Sequence, residues 1–111
     1  MVLKRVLYIF SLISLASCGN TESKKSDGEI PQETPSERGA SLYTVNCASC
    51  HGEDGKLGAS GAKDLTQSQL SDAQIKRILK KGKNAMPPMA DILENSENID
   101  VVIAHIKSLR K

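Results

Sequence analysis

The sequence predicts an all-α domain, and three observations carry that expectation. Three segments repeat apolar residues at helical spacing. No run alternates as a half-buried strand would. Glycines and helix caps punctuate the segments where helices should stop and start.

The first helix is expected over about 36–50. Ser36 follows Pro35 and can cap it, with Glu37 near the positive end of the helix dipole. Gly39, Tyr43 and Cys47 then fall on one face, followed by Cys50. The second helix opens at Ser71, with Gln74 in capping-box spacing. Ile75, Ile78 and Leu79 form its buried stripe, and Gly82 is its stop. The third spans about 97–109. Its Ile99, Val102, Ile103, Ile106 and Leu109 give the strongest periodic signal in the chain. Between the first two helices, residues 52–70 contain Gly52, Gly55, Gly58 and Gly61 and read as a long loop without regular structure.

Not all 111 residues belong to that domain. Lys4 and Arg5 precede the apolar run 6–15, which is too short to span a bilayer permanently. Leu15-Ala16-Ser17-Cys18 follows and resembles the lipobox of bacterial lipoproteins. That resemblance implies a removable signal peptide over 1–17, lipidation of Cys18 and export to the extracytoplasmic face of a membrane. Residues 18–35 are then the lipidated Cys and a flexible linker, polar apart from Ile30. The folding unit is 36–111, a single small domain.

Composition excludes several function classes. The chain has 15 basic and 13 acidic residues, and loss of Lys4 and Arg5 with the leader balances them. A general nucleic-acid binder needs a strong positive field, so no nucleic-acid partner is expected. The charge is nevertheless uneven. Lys76, Arg77, Lys80, Lys81 and Lys83 stand together with no acid among them, either as a solvated helix face or as a docking surface for an acidic partner. Tyr43 is the only Phe, Tyr or Trp within 36–111. So small a domain is marginal on its own apolar burial. Something besides side chains should help to fill its core.

Cys47-Ala48-Ser49-Cys50-His51 supplies the candidate. Cys-x-x-Cys-His is the attachment sequence for c-type haem. Positions i, i+3 and i+4 share one side of a helix end. Two thiols placed there can bond the two vinyl groups of one porphyrin, and the next imidazole falls under the iron. Three other readings of the pair are weaker. A thioredoxin-like redox motif sits in a βαβ setting that this sequence lacks. A zinc site is short of ligands, since the only other His is His105. Cysteines separated by two residues seldom form a structural disulfide.

A sixth iron ligand should come from Asn84-Ala85-Met86-Pro87-Pro88-Met89. A thioether stabilises reduced iron, and the two prolines keep Met86 extended and out of a helix. Met86 is favoured over Met89, which reads as apolar cover at the haem edge. His105 is a third conceivable donor.

With these residues in view, 36–111 resembles a small monohaem cytochrome c of class I. The resemblance rests on Gly39 and Tyr43, the run 47–52, Asp64-Leu65, Gly82, Asn84-Ala85-Met86-Pro87 and the closing helix. It implies three main helices and long loops wrapped around one covalently bound haem c, with the first and last helices crossing. It also implies that Gly39 permits their close approach, that Tyr43 packs on the last helix, and that Leu65 and Ile78 line the haem pocket. Two positions depart from the family pattern. His105 stands where an aromatic residue such as Tyr is common, and Lys63 and Asp64 stand where Pro is often found before the leucine.

The function expected is one-electron transfer by a non-enzymatic, monomeric carrier with His51 and Met86 on the iron. By resemblance its partners are oxidases, quinol-oxidising complexes or reductases, and its lipid holds it to the membrane. The alternatives are a haem sensor or small peroxidase-like enzyme in which Met86 dissociates, and a fixed relay subunit of a membrane complex.

Overall fold

The computed structural model describes residues 31–111. The leader 1–17, Cys18 and the linker through residue 30 lie outside the described residues. Five helices follow in order: α1 (Pro35–Asn46), α2 (Ala48–His51), α3 (Asp72–Lys81), α4 (Ala90–Leu93) and α5 (Ser96–Ser108). Among the described residues there is no strand beyond one isolated bridge between Lys83 and Met86. The all-α expectation therefore holds.

Helix α1 starts one residue before the expected place, and its cap is Thr34, not Ser36. Proline explains the shift. Pro35 has no N–H to satisfy and its fixed φ suits the first helical position, so the cap falls on the residue before it. Thr34 and Glu37 complete a capping box. Thr34 N donates to the Glu37 carboxylate at 2.8 Å, and Glu37 N donates to Thr34 Oγ1 at 3.3 Å. The Thr34 hydroxyl holds the Glu37 carboxyl below its ordinary pKa.

The expected single helix over 36–50 is broken at Cys47, which adopts φ −122° and ψ −34°. Asn46 turns its side-chain amide back onto the Leu42 carbonyl at 2.9 Å, a local competitor for helical bonding. The short helix α2 then resumes at Ala48. Cys47 faces the core while Cys50 is exposed.

Helix α3 follows the sequence closely, with Ser71 as cap, Gln74 closing the box and Gly82 as stop. Ile75 and Leu79 are buried, whereas Ile78, expected in the same stripe, is half-buried. Helix α5 runs one residue earlier than expected because Asn95 caps it, accepting from Asn98 N at 2.8 Å. Its Ile99, Val102, Ile103 and Ile106 are buried as the periodicity requires. Leu109 is half-buried beyond the helix end. Helix α4 is a single turn that the sequence did not announce. It buries Leu93 and ends at Glu94 with φ +67°.

The core lies where α1 and α5 cross. A Cβ on Gly39 would stand 2.4 Å from the Val101 carbonyl oxygen, so the two backbones touch there. One turn on, Tyr43 is fully buried and its ring centre lies 4.8 Å from that of His105. Its hydroxyl donates to the Gly52 carbonyl at 2.7 Å. Burial pushes the Tyr43 phenol up to about 12, so it remains a donor across the physiological range. Exposed ion pairs join Arg38 to Glu97 at 2.9 Å, Lys76 to Asp100 at 2.7 Å and Lys107 to Asp72 at 2.7 Å. Each contributes little by itself.

Two outcomes follow for chemical unfolding of the holoprotein. Gly39→Ala should lower stability by about 1–3 kcal/mol, because two packed backbones must separate. Tyr43→Phe should cost about 1–2 kcal/mol, since the buried ring stays but the Gly52 carbonyl loses its donor.

Candidate haem site

The attachment motif occupies a corner between α1 and the long loop. Cys47 is 7% exposed and belongs to the core cluster. Burial pushes its thiol up to about 11, so it stays protonated at neutral pH. A thiol-exchange motif needs the opposite shift, towards thiolate. Cys47 and Cys50 are both free thiols. Among the described residues, no group of three or more His, Cys, Asp or Glu gathers where it could hold a metal ion. The zinc and redox-disulfide readings therefore gain nothing from the fold.

His51 closes α2 and is half-buried. Its Nδ1 lies 3.0 Å from the Lys63 carbonyl oxygen. A carbonyl can only accept, so Nδ1 carries the proton and Nε2 is left with a lone pair. Such a bond fixes both the tautomer and the orientation of a ligating imidazole. Directly after His51 the chain turns at Gly52, with φ +81°. A Cβ there would press within 2.9 Å of Leu57 Cβ. Leu57 N returns a hydrogen bond to the His51 carbonyl at 2.8 Å, which closes the turn.

The segment expected as a structureless loop holds two 3₁₀ turns, Ala59–Gly61 and Leu65–Gln67. Asp64 caps the second. Its Oδ1 accepts from Thr66 N at 2.8 Å and from Thr66 Oγ1 at 2.7 Å. That hydroxyl holds the Asp64 carboxyl below its ordinary pKa. Leu65 N donates to the Gly55 carbonyl at 2.9 Å, drawing the loop's two limbs together. A Cβ on Gly55 would crowd Leu65 and Leu109, at 3.1 and 3.2 Å.

Met86 is held by its backbone. Lys83 N donates to Met86 O, and Met86 N donates to Lys83 O, both at 3.0 Å. Asn84 takes the left-handed conformation, φ +54°, inside this turn. Gly82 has φ +72°, and a Cβ on it would meet Met86 O at 2.6 Å. The two methionines part company here. Met86 is half-buried at the margin of the core cluster. Met89 is 7% exposed, lies inside the cluster, and donates its N–H to the Leu79 carbonyl at 2.7 Å. It is thus a member of the core cluster. His105 is engaged against Tyr43 at the helix crossing.

The fold thus places Cys47 in the core cluster and packs Ala48, Leu65, Leu70 and Met86 against it as half-buried neighbours. Ile78 is also half-buried but is not among those neighbours. These residues fit a haem. Two thiols are free, one imidazole nitrogen has its lone pair available, and apolar side chains are left partly uncovered. Two contributors escaped sequence reasoning. The Lys63 carbonyl has no sequence signal, since every residue carries one. Asp64 had a signal in the Asp-x-Thr spacing, which favours a local cap.

Comparison with known proteins agrees with this geometry. Residues 34–106 match the family described as cytochrome C oxidase, cbb3-type, subunit III. The chain is 38% identical over 65 residues to the Cbb3-type cytochrome c oxidase subunit FixP of Azorhizobium caulinodans, covering 56% of this chain and 21% of that one. It is 32% identical over 87 residues to the cytochrome bc1 complex cytochrome c subunit of Corynebacterium diphtheriae, covering 77% of this chain and 30% of that one. Against cytochrome c6 of Bryopsis maxima it is 35% identical over 77 residues, covering 63% of this chain and 86% of that one. The chain therefore spans less than a third of the length of the first two relatives. With the Cys-x-x-Cys-His corner, the crossed α1 and α5 and this match over most of the domain, the chain belongs to that cytochrome c family, and its cofactor is covalently bound haem c.

Proposed function

We propose that this protein is a one-electron carrier whose haem is bonded to Cys47 and Cys50, with His51 Nε2 and Met86 Sδ on the iron. The observation that carries the reading is the bond from His51 Nδ1 to the Lys63 carbonyl. It leaves Nε2 as the outward donor and steadies the ring. When bound, haem supplies an iron that changes by a single charge. The residues do the rest. Cys47 and Cys50 hold the cofactor for good, so tight packing is not needed to retain it. The Lys83–Met86 turn presents a thioether, a soft donor that favours the reduced metal. Leu65, Leu70, Ile78 and Ala48, all half-buried, would keep water from its apolar faces.

The partner class is a respiratory redox complex. The names of two relatives, an oxidase subunit and a bc1 complex subunit, support an oxidase or a quinol-oxidising complex. Reductases are a further partner class. A basic surface supports docking to acidic protein. Lys76 is committed to Asp100, but Arg77, Lys80, Lys81 and Lys83 are exposed and have no ion-pair partner among the described residues. The tether is the remaining part of the proposal. Export by the 1–17 leader and lipidation at Cys18 would hold the domain at the extracytoplasmic membrane surface. No helix of the described residues is long and apolar enough to cross a membrane. Such an anchor suits a mobile carrier and a fixed relay subunit alike.

Attachment is tested by intact mass and a pyridine haemochrome assay on protein from a host that matures c-type cytochromes. Wild-type protein should carry one haem, and the Cys47→Ser/Cys50→Ser double variant none; a wild-type mass without haem refutes the reading. The oxidised protein should show the far-red sulfur-to-iron band. Met86→Ala should abolish it and let the reduced protein bind carbon monoxide, whereas Met89→Ala should keep it and lose about 2–5 kcal/mol of stability. Wild-type protein that is high-spin and binds carbon monoxide readily would favour the sensor or peroxidase-like alternative. Electron-transfer rates to an acidic partner should fall as salt rises, and rates independent of salt would remove the docking surface.

A further inference from the structure

The family pattern often has Pro where this chain has Lys63 and Asp64, just before Leu65. Proline would stiffen the backbone at the peptide that faces His51. Lys63 cannot do so, yet its carbonyl sits 3.0 Å from Nδ1. Something else must steady it.

The Lys63 carbonyl and the Asp64 N–H form one rigid peptide unit. Its tilt is set by ψ of Lys63 on one side and φ of Asp64 on the other. Asp64 is pinned. Its carboxylate accepts from Thr66 N at 2.8 Å and from Thr66 Oγ1 at 2.7 Å, and its φ is −64°. Thr66 is itself anchored, being 2% exposed. Its carbonyl accepts from Lys111 N at 3.3 Å, and its neighbour Leu65 donates to Gly55 O at 2.9 Å. The chain of restraint runs from the packed Thr66, through the Asp64 carboxylate, to the peptide whose oxygen receives the imidazole proton.

We propose that Asp64 is the positioning residue of the axial histidine: by capping the Leu65–Gln67 turn, its side chain fixes the Lys63 carbonyl on His51 Nδ1. Asp64 takes from the C-terminal side of that peptide the restraint that proline would impose from within it. The proposal rests on His51 being an iron ligand.

The test is proton exchange at His51 Nδ1, followed by NMR in the reduced, full-chain holoprotein. In the wild type, a ring-current-shifted His51 ring reports ligation. If that shift is missing, the ligation reading and this proposal both fall. If it is present, three variants decide the role of Asp64 alone. Asp64→Ala should speed Nδ1–H exchange about fivefold, the factor that loss of an ordinary cap corresponds to. Asp64→Asn keeps the acceptor without the charge and should restore wild-type exchange. Thr66→Val removes the hydroxyl donor and retains Thr66 N, so it should fall between the two, and it serves if Asp64→Ala does not accumulate. Backbone amides of Val102 and Ile103 in the same samples report global opening and should be unchanged. The proposal is overturned by unchanged Nδ1–H exchange in Asp64→Ala or in Thr66→Val. It is equally overturned if Asp64→Asn matches Asp64→Ala, or if the α5 amides accelerate with the imidazole proton.

Discussion

Helices α1 and α5 touch at Gly39 and Val101, and most of the molecule is arranged around that contact. A side chain at residue 39 would force the helices apart, since even a methyl carbon would lie 2.4 Å from a carbonyl oxygen. With the backbones in contact, Tyr43 one turn later falls into the crossing and is sealed from solvent. Its hydroxyl donates to the Gly52 carbonyl. The helix that carries Cys47 and the loop that leaves His51 are therefore both referred to the same crossing. The cofactor-binding corner inherits its rigidity from an interface more than two turns away along α1.

Local signals and long-range ones were legible to different degrees. The helices of 71–82 and 97–109 could be read because their caps and apolar spacing are encoded within a few residues. The start of α1 was misplaced because Ser36 looked like a cap, while the stronger box of Thr34 and Glu37 straddled the proline. The break at Cys47 left no trace in the apolar pattern, since Tyr43, Cys47 and Cys50 satisfy a continuous helix as well as a broken one. For the site, the motif names its own chemistry, so Cys47, Cys50 and His51 stand out as candidates from the sequence alone. Met86 and Met89 were ranked by flanking prolines, and the fold adds a distinction that no local pattern holds, core against margin. What orients the imidazole was invisible, because a backbone carbonyl twelve residues away is brought in only by the folded loop.

The charge distribution shows a similar division of labour. The basic residues of α3 do not all serve one purpose. Lys76 is turned back to Asp100 on α5, and Lys107 of α5 reaches Asp72 at the start of α3. These two pairs stitch the helices along one side. The residues left over, Arg77, Lys80, Lys81 and Lys83, gather towards the end of α3 that leads into the Met86 turn. Near-neutrality of the whole thus conceals a local excess beside the candidate axial thioether. Lys80 and Lys81 also stand in the last turn of α3, where the helix dipole favours cations.

Helix α1 also sets a length. Its twelve residues, at about 1.5 Å each, make a rod of about 18 Å between the capping residues Thr34 and Cys47. The chain upstream of Thr34 thus enters at one pole of this rod, and the haem-bearing corner lies at the other. The tether proposed at Cys18 would then join the domain at the pole remote from Cys47, Cys50 and His51, so it would pivot the domain without covering the face that must meet a target.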